Sequence, residues 1–256
     1  AHVLIYLGLV LYTMHLRQWH LKIDRSFLSK PLIKDMLNYA LFGILGSIGS
    51  VLVFRIDYIM VSTLTVGGFF NTGIYHFAIN ITNVIAIPFT ALKRIAAPII
   101  ADGINQENKA PILDIYQRSS LNLLIVGLGL FLASWISIDE LFLITPKPEE
   151  LIPVKYVVLL LGIAKLIDMV TGINDQIIAY SKFYRFNVIA ILILGIVNIG
   201  TNSWLIPIYD IEGAAMATLV ALFLFNLAKF IFVWIKFKMQ PFTVGELKVL
   251  LIAALA

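Results

Sequence analysis

Five ionisable side chains lie within apolar runs where charge is expensive. Arg55 and Asp57 sit in VLVFRIDYIMVSTL, and Lys165, Asp168 and Asp175 in LLLGIAKLIDMVTGINDQIIAY. A charged side chain at the centre of a membrane helix costs about 2.5–3.5 kcal/mol on insertion scales, so such residues face a protein interior or a polar cavity. Cations of this kind can hold an anionic or polar cargo. The carboxylates can pair with them or bind a coupling cation.

Spacing refines this reading. Arg55 and Asp57 are two residues apart and point to different sides of a helix, so they do not readily neutralise each other. Lys165 and Asp168 are three apart and can pair. Asp175 lies seven beyond Asp168 with Gly172 between them, so a continuous helix would carry Lys165, Asp168, Gly172 and Asp175 as one stripe. The stripe reads as the lining of a cavity, or as buried ion pairs that fix helix register. Arg55 is eleven residues from Val66 and Lys165 ten from Lys155, roughly 16 and 15 Å at 1.5 Å rise per residue. Both cations are therefore expected near the bilayer middle. Asn80 and Asn83, and Asn198 and Asn202, are polar pairs at helical spacing that can bond a sugar or a neighbouring helix. His76 reads as a packed interfacial histidine.

The elements that position these residues are membrane helices. Hydrophobic residues make up 60% of the 256-residue chain and charged residues 13%, with mean hydropathy +0.94. That is too few charges to cover a water-soluble surface. Seven connectors separate eight apolar segments. Complete spans are expected at 35–66, 72–101, 116–138, 153–181, 184–208 and 212–237, with a partial span at 2–16 and the opening of another at 246–256. Their lengths suit helices of about 20 residues and exceed barrel strands. Pro88 and Pro98 should bend the second complete span. Glycine, serine and alanine clusters at 43–50 and 213–217 suit close helix packing.

The connectors alternate in charge. Arg17, Lys22, Arg25, Lys30 and Lys34 oppose only Asp24 in the first. The second is uncharged. Lys93, Arg94, Lys109 and Arg118 mark the third, and Asp139, Glu140, Glu149 and Glu150 the fourth. Lys182 and Arg185 mark the fifth, Asp210 and Glu212 the sixth, and Lys236, Lys238 and Lys248 the last. Basic connectors remain cytoplasmic, so every odd one is placed inside. The net charge of +4 is thus a matter of topology, and nucleic acid is not an expected partner. The chain has no cysteine, which excludes disulfides and thiolate metal sites. Walker A, HExxH and nucleophile-elbow patterns are absent, so no enzyme chemistry is expected, and the connectors are too short for a catalytic domain. Asn80-Ile81-Thr82 matches a glycosylation sequon but falls inside a span.

Residues 31–101 resemble the start of the C-terminal lobe in polysaccharide-export flippases of the multidrug/oligosaccharidyl-lipid/polysaccharide exporter superfamily. FRIDYIMVSTL, followed by NTGIYHFAINITNVIAIPFTALKRIAAPIIA, carries the resemblance. PIYDIEGAAMATLVALFLF is similar to the family's Pro-x-x-Gly-Ile-x-Gly-Ala-Ala-x-Ala-Thr helix start, with Asp210 replacing the first glycine. The resemblance implies an all-α polytopic membrane protein: a six-helix transporter lobe plus partial flanking transmembrane helices. Residues 1–16 would be part of the last N-lobe helix and 17–34 a cytoplasmic linker. Residues 35–238 would form the C-lobe, and 239–256 the start of an accessory helix. Both ends lie in apolar runs, so a piece of a larger transporter is expected, with an N-terminal lobe of the same chain as partner.

The implied function is translocation of a lipid-diphosphate-linked oligosaccharide across the bacterial cytoplasmic membrane, among membrane lipids and without a cofactor. Arg55, Lys165, Asn80 and Asn83 would bind substrate. Asp57, Asp168 and Asp175 would pair charge or couple to H⁺ or Na⁺. A multidrug/cation antiporter of the same superfamily is the alternative, with a mainly acidic cavity as its mark. A polytopic glycan polymerase or ligase would need a sizeable external loop, for which 137–155 is a poor candidate.

Overall fold

The structure, a computed structural model, describes residues 2–15, 29–144 and 151–255. Arg17, Lys22, Asp24 and Arg25 of the first connector, and Glu149 and Glu150 of the fourth, lie outside the described residues. The chain divides into two compact units, Ala1–Leu41 and Phe42–Ala256. The described part is helical without strands, an all-α polytopic membrane protein in which each helix closes its own backbone hydrogen bonds, as lipid requires.

The first unit holds α1 (His2–His15) and the beginning of α2 (Lys30–Leu64). In the second, α3 (Phe69–Ile85) and α4 (Ile87–Asn105) meet at Ala86 and bend by 47°. Pro88 occupies the first turn of α4, where its missing N–H costs nothing, whereas Pro98 sits inside α4 without interrupting it. The expected bend therefore falls at Pro88 alone. Next come α5 (Lys109–Ile136), the short α6 (Ile138–Leu143), α7 (Ile152–Val170), α8 (Asn174–Ala179), α9 (Arg185–Phe237) and α10 (Val244–Leu255). Among the described residues α2, α5 and α9 are each long and apolar enough to cross a membrane, and the bent α3–α4 pair is so too if taken as one span.

The nominal 53-residue α9 would run about 80 Å if straight, far beyond a bilayer. It is two limbs joined at Asp210, whose φ of 55° and ψ of −133° are not helical. The backbone at Gly213 lies against the Leu205 carbonyl, eight residues earlier, so the chain turns back on itself there. Phe186 from the first limb stacks on Phe232 from the second at 3.9 Å between centroids. The hairpin is antiparallel, and the sixth connector falls at its tip.

Side-chain size explains the packing. Gly46 and Gly49 of α2 face Val188 and Ile191 of α9, and Gly195 of α9 faces Val53. Ala214, Ala215 and Ala217 are fully buried. Small residues let these helices approach closely where no hydrophobic drive between lipid and protein would hold them. α7 is central, packing on α3, α5 and α9. Its Val154, Val157, Val158 and Leu161 join Tyr75, Ala78, Ile206 and Ala214 in one core cluster. α10 opens with a capping box: Thr243 N–H donates to Glu246 Oε2 at 2.7 Å and the Thr243 hydroxyl to the same oxygen at 2.6 Å.

Two expectations change. The third connector was expected to include Lys93, Arg94 and Arg118, but only Gln106–Asn108 separates α4 from α5. Asn108 caps α5 by accepting from Ala110 N–H at 3.2 Å, which lengthens the helix past its expected start at Tyr116. The fourth complete span is also not continuous. Gly172 adopts φ 67°, ends α7 and starts the chain on a new axis in α8. Glycine tolerates this left-handed geometry at no steric cost.

Candidate functional site

A cavity of about 410 Å³ opens among α2, α3, α7 and the second limb of α9. It brings together Arg55 and Asp57 from α2, Asn80 and Asn83 from α3, Lys165 from α7 and Thr218 from α9. Helical spacing accounts for the α3 contribution. His76, Asn80 and Asn83 recur every three or four residues and share a face. Two cations 110 residues apart in the chain thus line one hollow. Asp168 and Asp175 are not among its lining residues.

Arg55 is exposed in the second unit, and its guanidinium carbon stands 5.9 Å from the centroid of the Tyr58 ring. Tyr58 meets Tyr75 edge-on at 6.2 Å. Its hydroxyl hydrogen-bonds His76 Nδ1 at 3.1 Å. His76 is therefore an exposed cavity residue bonded to Tyr58, rather than the packed interfacial histidine that was expected. Lys165 is half-buried and forms no hydrogen bond or ion pair among the described residues; it does not pair with Asp168 across one helical turn. Asp168 instead accepts from Asn226 Nδ2 at 3.1 Å, while the Thr171 hydroxyl donates to Asn226 Oδ1 at 3.1 Å.

Asp57 is 3% exposed and forms no ion pair among the described residues. Its Oδ1 accepts from Asn198 at 2.6 Å and from Asn202 at 2.8 Å, and its Oδ2 accepts from the Thr218 hydroxyl at 3.0 Å. Asn198 and Asn202 therefore serve interhelical bonding, one of the two roles open to them from sequence. The i, i+4 spacing puts both amides on the α9 face that meets α2. Asn202 Oδ1 is buried without a hydrogen-bond partner among the described residues. Two amide groups and a hydroxyl thus satisfy one buried carboxylate.

The third carboxylate is carried away from the expected stripe. With the helix broken at Gly172, Asp175 lies on α8 and bridges two lysines. Lys229 Nζ of α9 is 2.5 Å from Oδ1 and Lys93 Nζ of α4 is 2.9 Å from Oδ2. The sequence reading missed Lys229 as an intramembrane charge and assigned Lys93 to a connector. Asn226 and Lys229 are three apart in an otherwise apolar run, and that polar face was the available signal.

Charged contacts at the bundle ends are simpler. Lys155 pairs with Asp139 at 2.6 Å, and Asn71 Nδ2 donates to Asp210 Oδ1 at 2.8 Å. At the other end Lys109 Nζ donates to the Phe237 carbonyl at 3.3 Å.

No family model and no curated protein matches the chain. Two solved structures share its fold. One is an outward-facing multidrug resistance MATE family transporter of the MOP superfamily, with TM-score 0.67, 19% identity, and coverage of 81% of this chain and 46% of that one. The other is a MOP superfamily transporter from Pyrococcus furiosus, for which reverse polarity of the binding pocket suggests a different function. It gives TM-score 0.61 at 18% identity, covering 86% of this chain and 51% of that one. The chain has the fold of about half of such a transporter and spans about half the length of each structure it matches.

Proposed function

We propose that this chain is the C-terminal lobe of a flippase that moves a lipid-diphosphate-linked oligosaccharide across the bacterial cytoplasmic membrane by alternating access. The observation that carries the reading is the meeting of Arg55 and Lys165 in one cavity with Asn80 and Asn83. Neither cation has a carboxylate salt-bridge partner among the described residues. In low dielectric, charge-assisted bonds from such cations to phosphate oxygens are strong. The amides, with Tyr58 and His76, offer hydrogen-bonding groups and ring faces to sugar. The membrane-transporter reading is supported by the fold shared with MOP superfamily transporters. The lipid carrier's diphosphate as cargo, and a matching N-terminal lobe as partner, are our extension of it.

Asp57 is the coupling group in this scheme, binding H⁺ or Na⁺ among Asn198, Asn202 and Thr218. That buried carboxylate, together with the likeness to a multidrug resistance transporter, also favours a second reading, a drug/cation antiporter. Our preference for the flippase rests on sign: Arg55 and Lys165 against Asp57 in the cavity lining suit an anionic headgroup better than a cationic drug.

The test is the Arg55→Ala/Lys165→Ala double variant of the full-length protein, assayed for lipid-linked sugar translocation in vesicles and for dye efflux. The flippase reading expects translocation to fall by at least about tenfold at unchanged membrane level, one decade being about 1.4 kcal/mol. Unaltered translocation rejects it, and efflux of cationic dye by the parent protein transfers support to the antiporter.

A further inference from the structure

Asp175 holds two lysines of very different standing. Lys229 is 1% exposed and Lys93 26%. Lys229 has Asp175 and the Phe225 ring, whose centroid is 3.7 Å away, as its surroundings in the core. Lys93 rests against the Phe89 ring at 3.9 Å and reaches Asp168 electrostatically. Lys165, which lines the cavity where Lys93 does not, is within electrostatic reach of both Asp168 and Lys93. The cluster Lys93, Lys165 and Lys229 against Asp168 and Asp175 therefore carries one positive charge in excess. A surplus of positive charge within this cluster favours an anionic partner.

We infer that Lys93 is an exchangeable cation of an oxyanion subsite shared with Lys165, with Asp175 as its resting counter-ion. Lys229 makes the exchange inexpensive. When Lys93 swings from Asp175 toward a phosphate oxygen, the carboxylate keeps one buried ammonium and stays neutralised. The phosphate gains two cations, Lys93 and Lys165, and the excess charge is cancelled. Lys93 lies on α4 beyond the bend at Ala86, and Asp175 on α8 beyond the break at Gly172. Its release therefore also removes the ion pair that links the segments beyond these two breaks. The inference deepens the transport reading and rests on it only for naming the phosphate as cargo.

The experiment measures pyrophosphate affinity of the purified full-length protein in nanodiscs with zwitterionic lipid, for the parent, Lys93→Gln, Lys93→Arg and Asp175→Asn. Lys93→Gln is expected to weaken binding by about tenfold, and Lys93→Arg to restore most of it. Asp175→Asn is expected to tighten binding several-fold, because it frees Lys93; a merely structural ion pair predicts no gain. Equal affinity in Lys93→Gln and parent overturns the proposal, as does weaker binding in an Asp175→Asn protein that elutes as a folded species. If Asp175→Asn does not fold, the contrast between Lys93→Gln and Lys93→Arg decides. Repeating the titration with phosphatidylglycerol in the nanodisc separates the sources of phosphate. Competition that depends on Lys93 assigns the subsite to a membrane lipid headgroup, and its lack leaves the diphosphate as ligand. Lys93-dependent pyrophosphate binding by a protein that moves no lipid-linked sugar would sink the flippase reading and leave the subsite standing.

Discussion

Asn198 donates its side-chain amide to Asp57 across 2.6 Å, although 141 residues separate them in the chain. With Asn202 and Thr218 it fixes the first helix of the second unit to both limbs of the α9 hairpin. Among the described residues this carboxylate is hydrogen-bonded without a cation partner, so it is a structural joint, and the proposed coupling role is a separate matter.

The joint and the coupling role separate by substitution. Asp57→Leu leaves the Asn198, Asn202 and Thr218 donors without their acceptor and is expected to cost about 2–3 kcal/mol, read as a lower melting temperature in detergent. Asp57→Asn retains the shape and an acceptor, and its new amide N–H₂ can donate to the unpartnered Asn202 Oδ1. Its melting temperature should stay within a few degrees of the parent while the dependence of transport on pH or Na⁺ disappears. Undiminished ion dependence in a transporting Asp57→Asn protein would remove Asp57 from the coupling role.

Asp210 occupies a backbone geometry that glycine dominates, φ 55° with ψ −133°. Gly68 adopts nearly the same dihedrals, 52° and −121°, without a side chain to strain. The hydrogen bond from Asn71 offsets part of the strain at Asp210. Strain of this kind costs about 1–3 kcal/mol and an exposed hydrogen bond returns about 0.5–1.5 kcal/mol. Asp210→Gly is thus expected to stabilise by about 1 kcal/mol, raising the melting temperature by about 2–4 °C. Asp210→Val loses the bond and keeps the strain, and should melt lower. The opposite order of the two variants would refute this account of the hairpin tip.

These 256 residues contain no cysteine, so a thiol introduced here is compared with the otherwise identical protein that lacks it. Gln106→Cys, between α4 and α5, and Glu140→Cys, in α6, are at exposed positions on connectors of opposite parity. In intact cells a membrane-impermeant maleimide should label Glu140→Cys and leave Gln106→Cys unmodified until the membrane is opened. Reversed labelling would invert the orientation drawn from Lys/Arg placement.

The amino-acid sequence alone determined the helical class and singled out the charged cavity pair. Apolar length sets a membrane helix, connector charge follows insertion, and the i, i+3, i+4 rule fixes which residues share a face. That was sufficient to place Arg55, Lys165, Asn80 and Asn83 among candidates that turned out to line one hollow, and to put a connector at Asp210. Local rules could not say which faces meet. The break at Gly172 depends on one residue's positive φ, and an apolar run on either side conceals it, so Asp175 was read on the wrong stripe. Lys93 and Lys229 become partners of Asp175 only when α4, α8 and α9 converge. Asn198 and Asn202 were readable as a pair, but their bond to Asp57 exists because the hairpin packs on α2. Covalent neighbours and their periodicity are written along the chain. Pairings such as these, between residues 54 or more positions apart, depend on helix packing, and tertiary structure alone decided them.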